Sequence, residues 1–231
     1  MRAMILAAGR GERMRPLTDR TPKPLLTVAG KPMIQYHIEA LAAAGMREIV
    51  INLAWLGSQI RAALGDGSQF GVHIHYSDEG DAALETGGGV FKALSLLAGP
   101  SGTDPFVVVS GDVWTEYPLG DVANKLAAGD MAHFVVVPNP EFHERGDFGL
   151  EGGRLTDSGE RYTYANIGVL RPEFFAGCEP GKFPLAPLMF AWIRRNRVSG
   201  ELFRGVWHNV GTPQQLQQID QDASAQRRSR L

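Results

Sequence analysis

The sequence predicts an open α/β fold in which a mostly parallel central sheet is covered by helices on both faces. Three observations carry this expectation. Short apolar runs alternate with amphipathic stretches through the first half of the chain. The run Phe106–Val109 is apolar throughout, as a strand covered on both sides must be. The length of each unit suits a strand followed by a crossover helix, which implies parallel pairing.

Ala3–Ala7 reads as the opening strand. A helix is expected over Pro32–Ala44, where Ile34, His37, Ile38 and Leu41 recur at helical spacing and turn one face to the sheet. His37 is therefore read as a core-edge residue. Glu48–Leu53 and Val72–Tyr76 read as strands on either side of a helix over Ser58–Leu64, and Thr86–Leu97 as a glycine-rich helix. The second half loses this rhythm. Ala132–Val137 and Tyr164–Leu170 are strand-like, and the polar, glycine-rich segment Asn139–Glu160 between them is expected to be an insertion forming a pocket wall. A helix near Pro187–Arg195, a short strand around Val206 and an amphipathic helix from Pro213 to about Ala223 complete the chain. Residues 226–231 carry three arginines and are expected to fray.

With 231 residues, 44% of them hydrophobic, the chain suits one large core, and a single domain over 1–225 is expected. A formal net charge of −2 gives no global positive field for a nucleic-acid backbone or an anionic membrane, so neither is expected as a partner. The single cysteine, Cys178, excludes an internal disulfide and a cysteine-rich zinc site. No apolar run approaches the roughly 20 residues that span a bilayer, and a cytoplasmic location is expected. No hexapeptide repeat follows residue 220, so no fused acetyltransferase domain is expected.

The chemistry concentrates where the first strand runs into LAAGRGERMRPLTDRTPKPLL, residues 6–26. Gly9 and Gly11 let backbone amides approach an anion closely, and cations follow within the same loop. Met14 stands at the third glycine position of a dinucleotide fingerprint, and no Gly-Lys-Ser/Thr ending marks a Walker A loop. Prolines on both sides of Lys23 restrict its backbone and aim its ammonium at a phosphoryl group.

This loop closely resembles the signature of the nucleotide-sugar pyrophosphorylase family, Gly-x-Gly-x-Arg followed by Pro-Lys-Pro, and the resemblance extends over nearly the whole chain. It implies a Rossmann-like nucleotidyltransferase fold of the GT-A kind, with a nucleotide-binding half over 1–112 and a sugar-binding half over 113–225. It also implies Mg²⁺ as cofactor, with a nucleoside triphosphate and a sugar 1-phosphate as substrates. Leu6, Ala8, Gly9 and Gly11 would hold the nucleotide, while Arg13 and Lys23 would act on the phosphates.

Asp112 follows the strand Pro105–Val109 and lies at the carboxyl end of a parallel strand, where ligands of open α/β sheets bind. It is read as a catalytic metal ligand, as the family's pattern implies. The late segment Trp207–Pro213 resembles the family's Trp-x-Asp-x-Gly-Thr motif, with Asn209 at the aspartate position. Asn209 is either the second metal ligand or a cap for the helix that begins near Thr212. Leu84-Glu85-Thr86-Gly87-Gly88-Gly89 resembles the family's base-binding loop, commonly Leu-Gly-Thr, and Glu79, Gly87 and Gly88 are the expected base contacts. Asn166 and Asp147 are the expected sugar contacts.

Within the family, SGDVWTEYPL, NPEFHERGDFGL and KFPLAPL are most similar to the N-acetylmuramate-1-phosphate uridylyltransferase branch of bacterial cell-wall recycling. UTP and N-acetylmuramate 1-phosphate are the expected substrates. Mannose-1-phosphate guanylyl transfer is the alternative, and a non-catalytic nucleotide-sugar regulator, motivated by Asn209, is a remoter one.

Overall fold

Runs of aliphatic residues become the strands, and their side chains sort by the two-residue period of a pleated strand. The computed structural model describes residues 1–229. β1 (Arg2–Leu6) sends Ala3 and Ile5 to one face of the sheet and Met4 to the other, all three fully buried. After the glycine loop, β2 (Thr27–Val28) and β3 (Lys31–Pro32) form a small hairpin that leads into α1 (Met33–Ala43). β4 (Glu48–Leu53), α2 (Gly57–Leu64), β5 (His73–Asp78), α3 (Glu85–Leu97) and β6 (Phe106–Ser110) follow in the expected order.

The chain then turns back through β7 (Val113–Thr115) and α4 (Leu119–Val122) to β8 (Ala132–Val137). β9 (Phe148–Glu151), β10 (Arg154–Thr156), β11 (Arg161–Leu170), α5 (Ala186–Ile193), β12 (Val198–Leu202), β13 (Trp207–Asn209) and α6 (Pro213–Ser229) complete it. The main sheet has nine strands in the order β5-β4-β1-β6-β11-β8-β12-β10-β9. β5, β4, β1 and β6 are mutually parallel. From β11 onward the sheet is mixed, because β11 runs antiparallel to both β6 and β8. The parallel expectation therefore describes the first half of the sheet.

Helices cover both faces. Ile34, Ile38 and Leu41 of α1 pack with Ile60 and Leu64 of α2 on one side; Val90, Ala93 and Leu97 of α3 pack with Met189 and Ile193 of α5 on the other. Each such aliphatic burial contributes about 1.5–3 kcal/mol. A third, smaller cluster lies beneath the glycine loop, where Met14, Val28 and Met33 meet Val210 and Ile219. His37 sits at 4% exposure on the sheet-facing side of α1, in keeping with its reading as a core residue.

The second half departs from the expectations in several places. The insertion expected over Asn139–Glu160 is partly sheet, because β9 and β10 within it join the main sheet. β12 was not foreseen: VSGEL lacks a strand's apolar pattern, yet it pairs with the open edge of β8. The strand expected around Val206 is β13, which pairs with β7. The frayed tail expected from 226 falls partly within α6, and residues 230 and 231 lie outside the described residues. Among the described residues no helix is long and apolar enough to cross a membrane.

Candidate active site

The strand order reverses at β1: β4 and β5 are laid down on one side of it and β6 on the other, where Leu6 pairs in parallel with Ser110. A crevice opens there at the carboxyl ends of the strands, the place where such sheets accept ligands. Its walls bring together Leu6, Ala8, Gly9, Lys23, Glu79, Asp112 and Asn166, seven of the residues that the sequence singled out.

The glycine loop is held from behind. Ala7 N–H donates to Asn52 Oδ1 at 2.7 Å, and Thr18 Oγ donates to the Gly11 carbonyl at 2.8 Å. Trp55 Nε1 donates in turn to the Thr18 carbonyl at 2.9 Å. Gly11 needs to be glycine: its φ is +67°, and a Cβ there would come within 3.0 Å of Thr18 Cγ2. Gly9 differs, since a Cβ there would meet no heavy atom within 4 Å. Its open side faces the crevice.

Lys23 and Asp112 meet at the centre. Nζ stands 2.5 Å from Oδ2, and Ser110 Oγ donates to the other oxygen, Oδ1, at 2.7 Å. Gly111 makes this closure possible: its N–H donates to the Leu6 carbonyl at 2.9 Å, and a Cβ would lie 2.9 Å from that same oxygen. Behind Asp112, His37 Nε2–H donates to the Val113 carbonyl at 2.8 Å, and burial pushes the imidazole down to about 4. The ring is thus neutral at physiological pH.

Asn209 arrives beside Asp112 through the β7/β13 ladder, in which Asn209 pairs with Val113 and Val210 N–H donates to the Asp112 carbonyl at 2.9 Å. Its capping alternative fails. Thr212 and Gln215 cap α6 reciprocally, with Thr212 N–H donating to Gln215 Oε1 at 3.0 Å and Gln215 N–H to Thr212 Oγ1 at 3.3 Å. Asn209 Oδ1 is left buried with no hydrogen-bond partner among the described residues, an arrangement that costs free energy unless a ligand completes it. Asp112 and Asn209 therefore offer hard oxygen donors of the kind Mg²⁺ takes alongside phosphates. Among the described residues no cluster of three or more His, Cys, Asp or Glu forms a metal site on its own.

The base side departs from expectation. Glu79 lines the crevice, but Asn52 Nδ2 donates to its Oε1 at 2.7 Å and Leu84 N–H to its Oε2 at 2.6 Å. Glu79 is first of all the clamp that fixes Asn52, and through Asn52 the start of the glycine loop. Gly87 and Gly88 do not line the crevice. α3 begins at Glu85, so they sit inside its first turn and are buried against the segment 181–183. A Cβ on Gly87 would strike Phe183, one on Gly88 would come 2.2 Å from the Gly181 carbonyl, and Gly88 N–H already donates to the Phe183 carbonyl. These two glycines serve close packing; Glu85 and Thr86 form the wall instead.

The side expected to take the sugar is built around Asn166. This residue lies in the left-handed region, φ +58°, at an irregularity in the β11/β8 ladder between Tyr164 and Gly168. Asparagine tolerates that conformation better than most residues. Asn166 lines both the nucleotide crevice and an adjoining pocket that contains Arg13, His143, Asp147, Trp207 and Asn209. Asp147 is tied down by His143 Nε2 at 3.0 Å and by Tyr164 N–H at 2.8 Å. Burial, with Asp147 nearby, raises the Tyr164 phenol, which stays neutral. Arg13 joins this pocket to a groove that it shares with Gly9, Gly11, Lys23 and Asp112. It forms no ion pair among the described residues, and Gly211 leaves room for its guanidinium, since a Cβ there would sit 3.3 Å from Nη2.

Asn52, Gly111 and Trp55 are given no role by the sequence reading, and Glu85 is placed in the base-binding loop without a role of its own. Asn52 alone left a usable signal, an amide near the end of the otherwise apolar strand EIVINL, where an unpaired buried polar group is costly.

The Nucleotidyl transferase family model matches residues 2–150. The chain is 49% identical to N-acetylmuramate alpha-1-phosphate uridylyltransferase of Neisseria meningitidis, with 97% of this chain and 99% of that protein covered. It is 36% identical to the Caulobacter vibrioides protein of the same name, with 92% of each covered. Among solved structures, a putative glucose-1-phosphate thymidylyltransferase from Bacillus anthracis superposes with a TM-score of 0.85 at 21% identity, over 97% of this chain and 95% of that one.

Proposed function

This chain belongs to the nucleotidyl transferase family, and from that premise we propose that it joins UTP to N-acetylmuramate 1-phosphate, giving UDP-N-acetylmuramate and pyrophosphate. The observation that carries the reading is the junction of three segments: an open glycine loop, the Lys23 and Asp112 pair, and a pocket beyond Asn166 large enough to be lined from both β11 and β13. Two relatives of that name, matched along almost their full length, support the choice of nucleotide and sugar.

An oxygen of the sugar phosphate attacks the α-phosphorus of UTP, a new P–O bond forms, and the bond to the bridging oxygen of the β-phosphate breaks. Pyrophosphate leaves with that electron pair. The nucleophile is already anionic, so no protein side chain needs to remove a proton, and catalysis rests on position and charge. Amides around Gly9 and Gly11 receive the triphosphate. Arg13 spans the groove between the two substrates, and Lys23 supplies a fixed cation where phosphate charge builds. Asn166, held in place by its backbone, orients the sugar.

Asp112 and Asn209 would hold Mg²⁺, and the unpartnered Asn209 oxygen fits that donor set. When bound, the cation neutralises phosphate charge and helps align the triphosphate. A cytoplasmic location is part of this reading, since both substrates are soluble anions.

The test is pyrophosphate release from a panel of nucleoside triphosphates and sugar 1-phosphates, with Mg²⁺ and then with a chelator. Turnover of UTP with N-acetylmuramate 1-phosphate well above every other pair is expected. Preference for GTP with mannose 1-phosphate, or no turnover at all, would overturn the proposal.

A further inference from the structure

Glu85 holds a backbone conformation that few side chains accept. Its φ is +60°, in the left-handed region, at the first residue of α3. Glycine enters that region freely, whereas a residue with a Cβ is crowded there.

The backbone does not depend on the glutamate side chain. Leu84 N–H is held by Glu79, Phe183 N–H donates to the Leu84 carbonyl at 3.1 Å, and Gly88 N–H to the Phe183 carbonyl at 3.0 Å. The turn is fixed on both sides, so glycine would serve the fold as well or better. Strain of this kind persists where the side chain is used.

The side chain is also free to be used. Glu85 lines the same crevice as Lys23 and Asp112, beside Ala83 and Thr86 of its own loop. Among the described residues it forms one ion pair, with Lys182, whose Nζ lies 3.8 Å from Oε1, beyond hydrogen-bond distance, and both side chains are substantially exposed. Glu79, the carboxylate expected to read the nucleoside, already holds two partners.

We infer that Glu85 is a specificity-determining residue whose carboxylate accepts a hydrogen bond from the bound nucleoside. An ionised carboxylate accepts only, so it pairs with a donor such as a base imide N–H or a ribose hydroxyl, and disfavours a ring nitrogen that is itself an acceptor. This rests on the reading above for the nucleotide's identity, while the strained glutamate in the crevice stands apart from which sugar is used.

The experiment is calorimetric titration of the full chain and of E85G and E85A with UTP, 2′-deoxy-UTP and GTP, alongside thermal melts. Both variants should bind UTP at least tenfold more weakly, while E85G melts at or above the wild-type temperature because its backbone strain is gone. A loss that persists with 2′-deoxy-UTP assigns the bond to the base N–H, and one that disappears assigns it to the 2′-hydroxyl. Unchanged affinity in both variants, for every triphosphate that the wild type binds, overturns the inference. Absent turnover in the wild-type panel would count against uridylyl transfer alone.

Discussion

Lys23 and Asp112 lie 89 residues apart in the chain, yet the ammonium of one rests 2.5 Å from the carboxylate of the other. The lysine side chain is 10% exposed and the aspartate 26%. One comes from the turn after β1 and the other from the turn after β6, and the close approach of those turns at Gly111 sets the spacing between cation and metal-type ligand. Several expected outcomes depend on this junction.

Lys23→Ala removes a fixed cation from the phosphate site and should lower kcat about 10²–10³-fold. The fold should survive with a stability loss of about 1–3 kcal/mol, since Asp112 loses its charged partner but keeps Ser110 and some solvent. Steady-state kinetics and a thermal melt separate the two effects. A normal rate in a folded variant would remove Lys23 from the mechanism.

Gly9→Ala and Gly111→Ala should behave differently although each adds one methyl group. At Gly9 the methyl meets no protein atom and projects into the crevice, so the melting temperature should hold while UTP affinity falls. At Gly111 it lies 2.9 Å from the Leu6 carbonyl and forces the Asp112 turn outward, costing about 1–3 kcal/mol as well as activity. Melting curves and UTP titrations of both variants, run side by side, check the contrast.

Asn209→Asp adds a negative charge where an amide oxygen stands without a partner. Half-maximal activity should require severalfold less Mg²⁺, and without metal the two carboxylates should repel and lower the melting temperature. Asn209→Ala should require more Mg²⁺. An unaltered Mg²⁺ dependence in both variants would show that Asn209 is not a ligand.

Asn166→Gly keeps the left-handed backbone and deletes only the side chain. The variant should fold normally, raise KM for the sugar 1-phosphate about tenfold, and leave UTP affinity in place. Equal losses for both substrates would instead place Asn166 in general support of the crevice.

His37 is neutral in the folded protein, with its imidazole pushed down to about 4 by burial, whereas its ordinary value is 6.5. Below pH 6.5 the unfolded chain takes up a proton that the folded chain refuses, so stability falls as pH drops from 6.5 toward 4 and this contribution levels off below that. The loss is on the order of 3 kcal/mol. Denaturant unfolding of the wild type and His37→Gln between pH 7 and pH 4 should give a shallower slope in the variant. Parallel curves would refute the assignment.

Largely apolar runs in the sequence were enough to place the inner strands. Glu48–Leu53 and Ala132–Val137 appear within the bounds that periodicity assigned them. The glycine loop was legible in the same way, because two glycines, three prolines and the cations among them constrain the backbone within some 20 residues of chain.

What those groups face is settled by contacts between distant segments. VSGEL becomes β12 because β8 offers it an edge, and Gly200 leaves space for Leu155, which would come within 2.5 Å of a Cβ there. Glu79 turns into a clamp because Asn52 and Leu84 reach it first; Gly87 and Gly88 are claimed by the segment 181–183. Asn209 is freed for a ligand because Gln215 and Thr212 cap α6 without it. Each of these outcomes is a competition among polar groups or packed surfaces from distant segments. Local spacing can propose the contestants, but only the folded chain brings them within hydrogen-bond distance, where a buried group must find one partner or another.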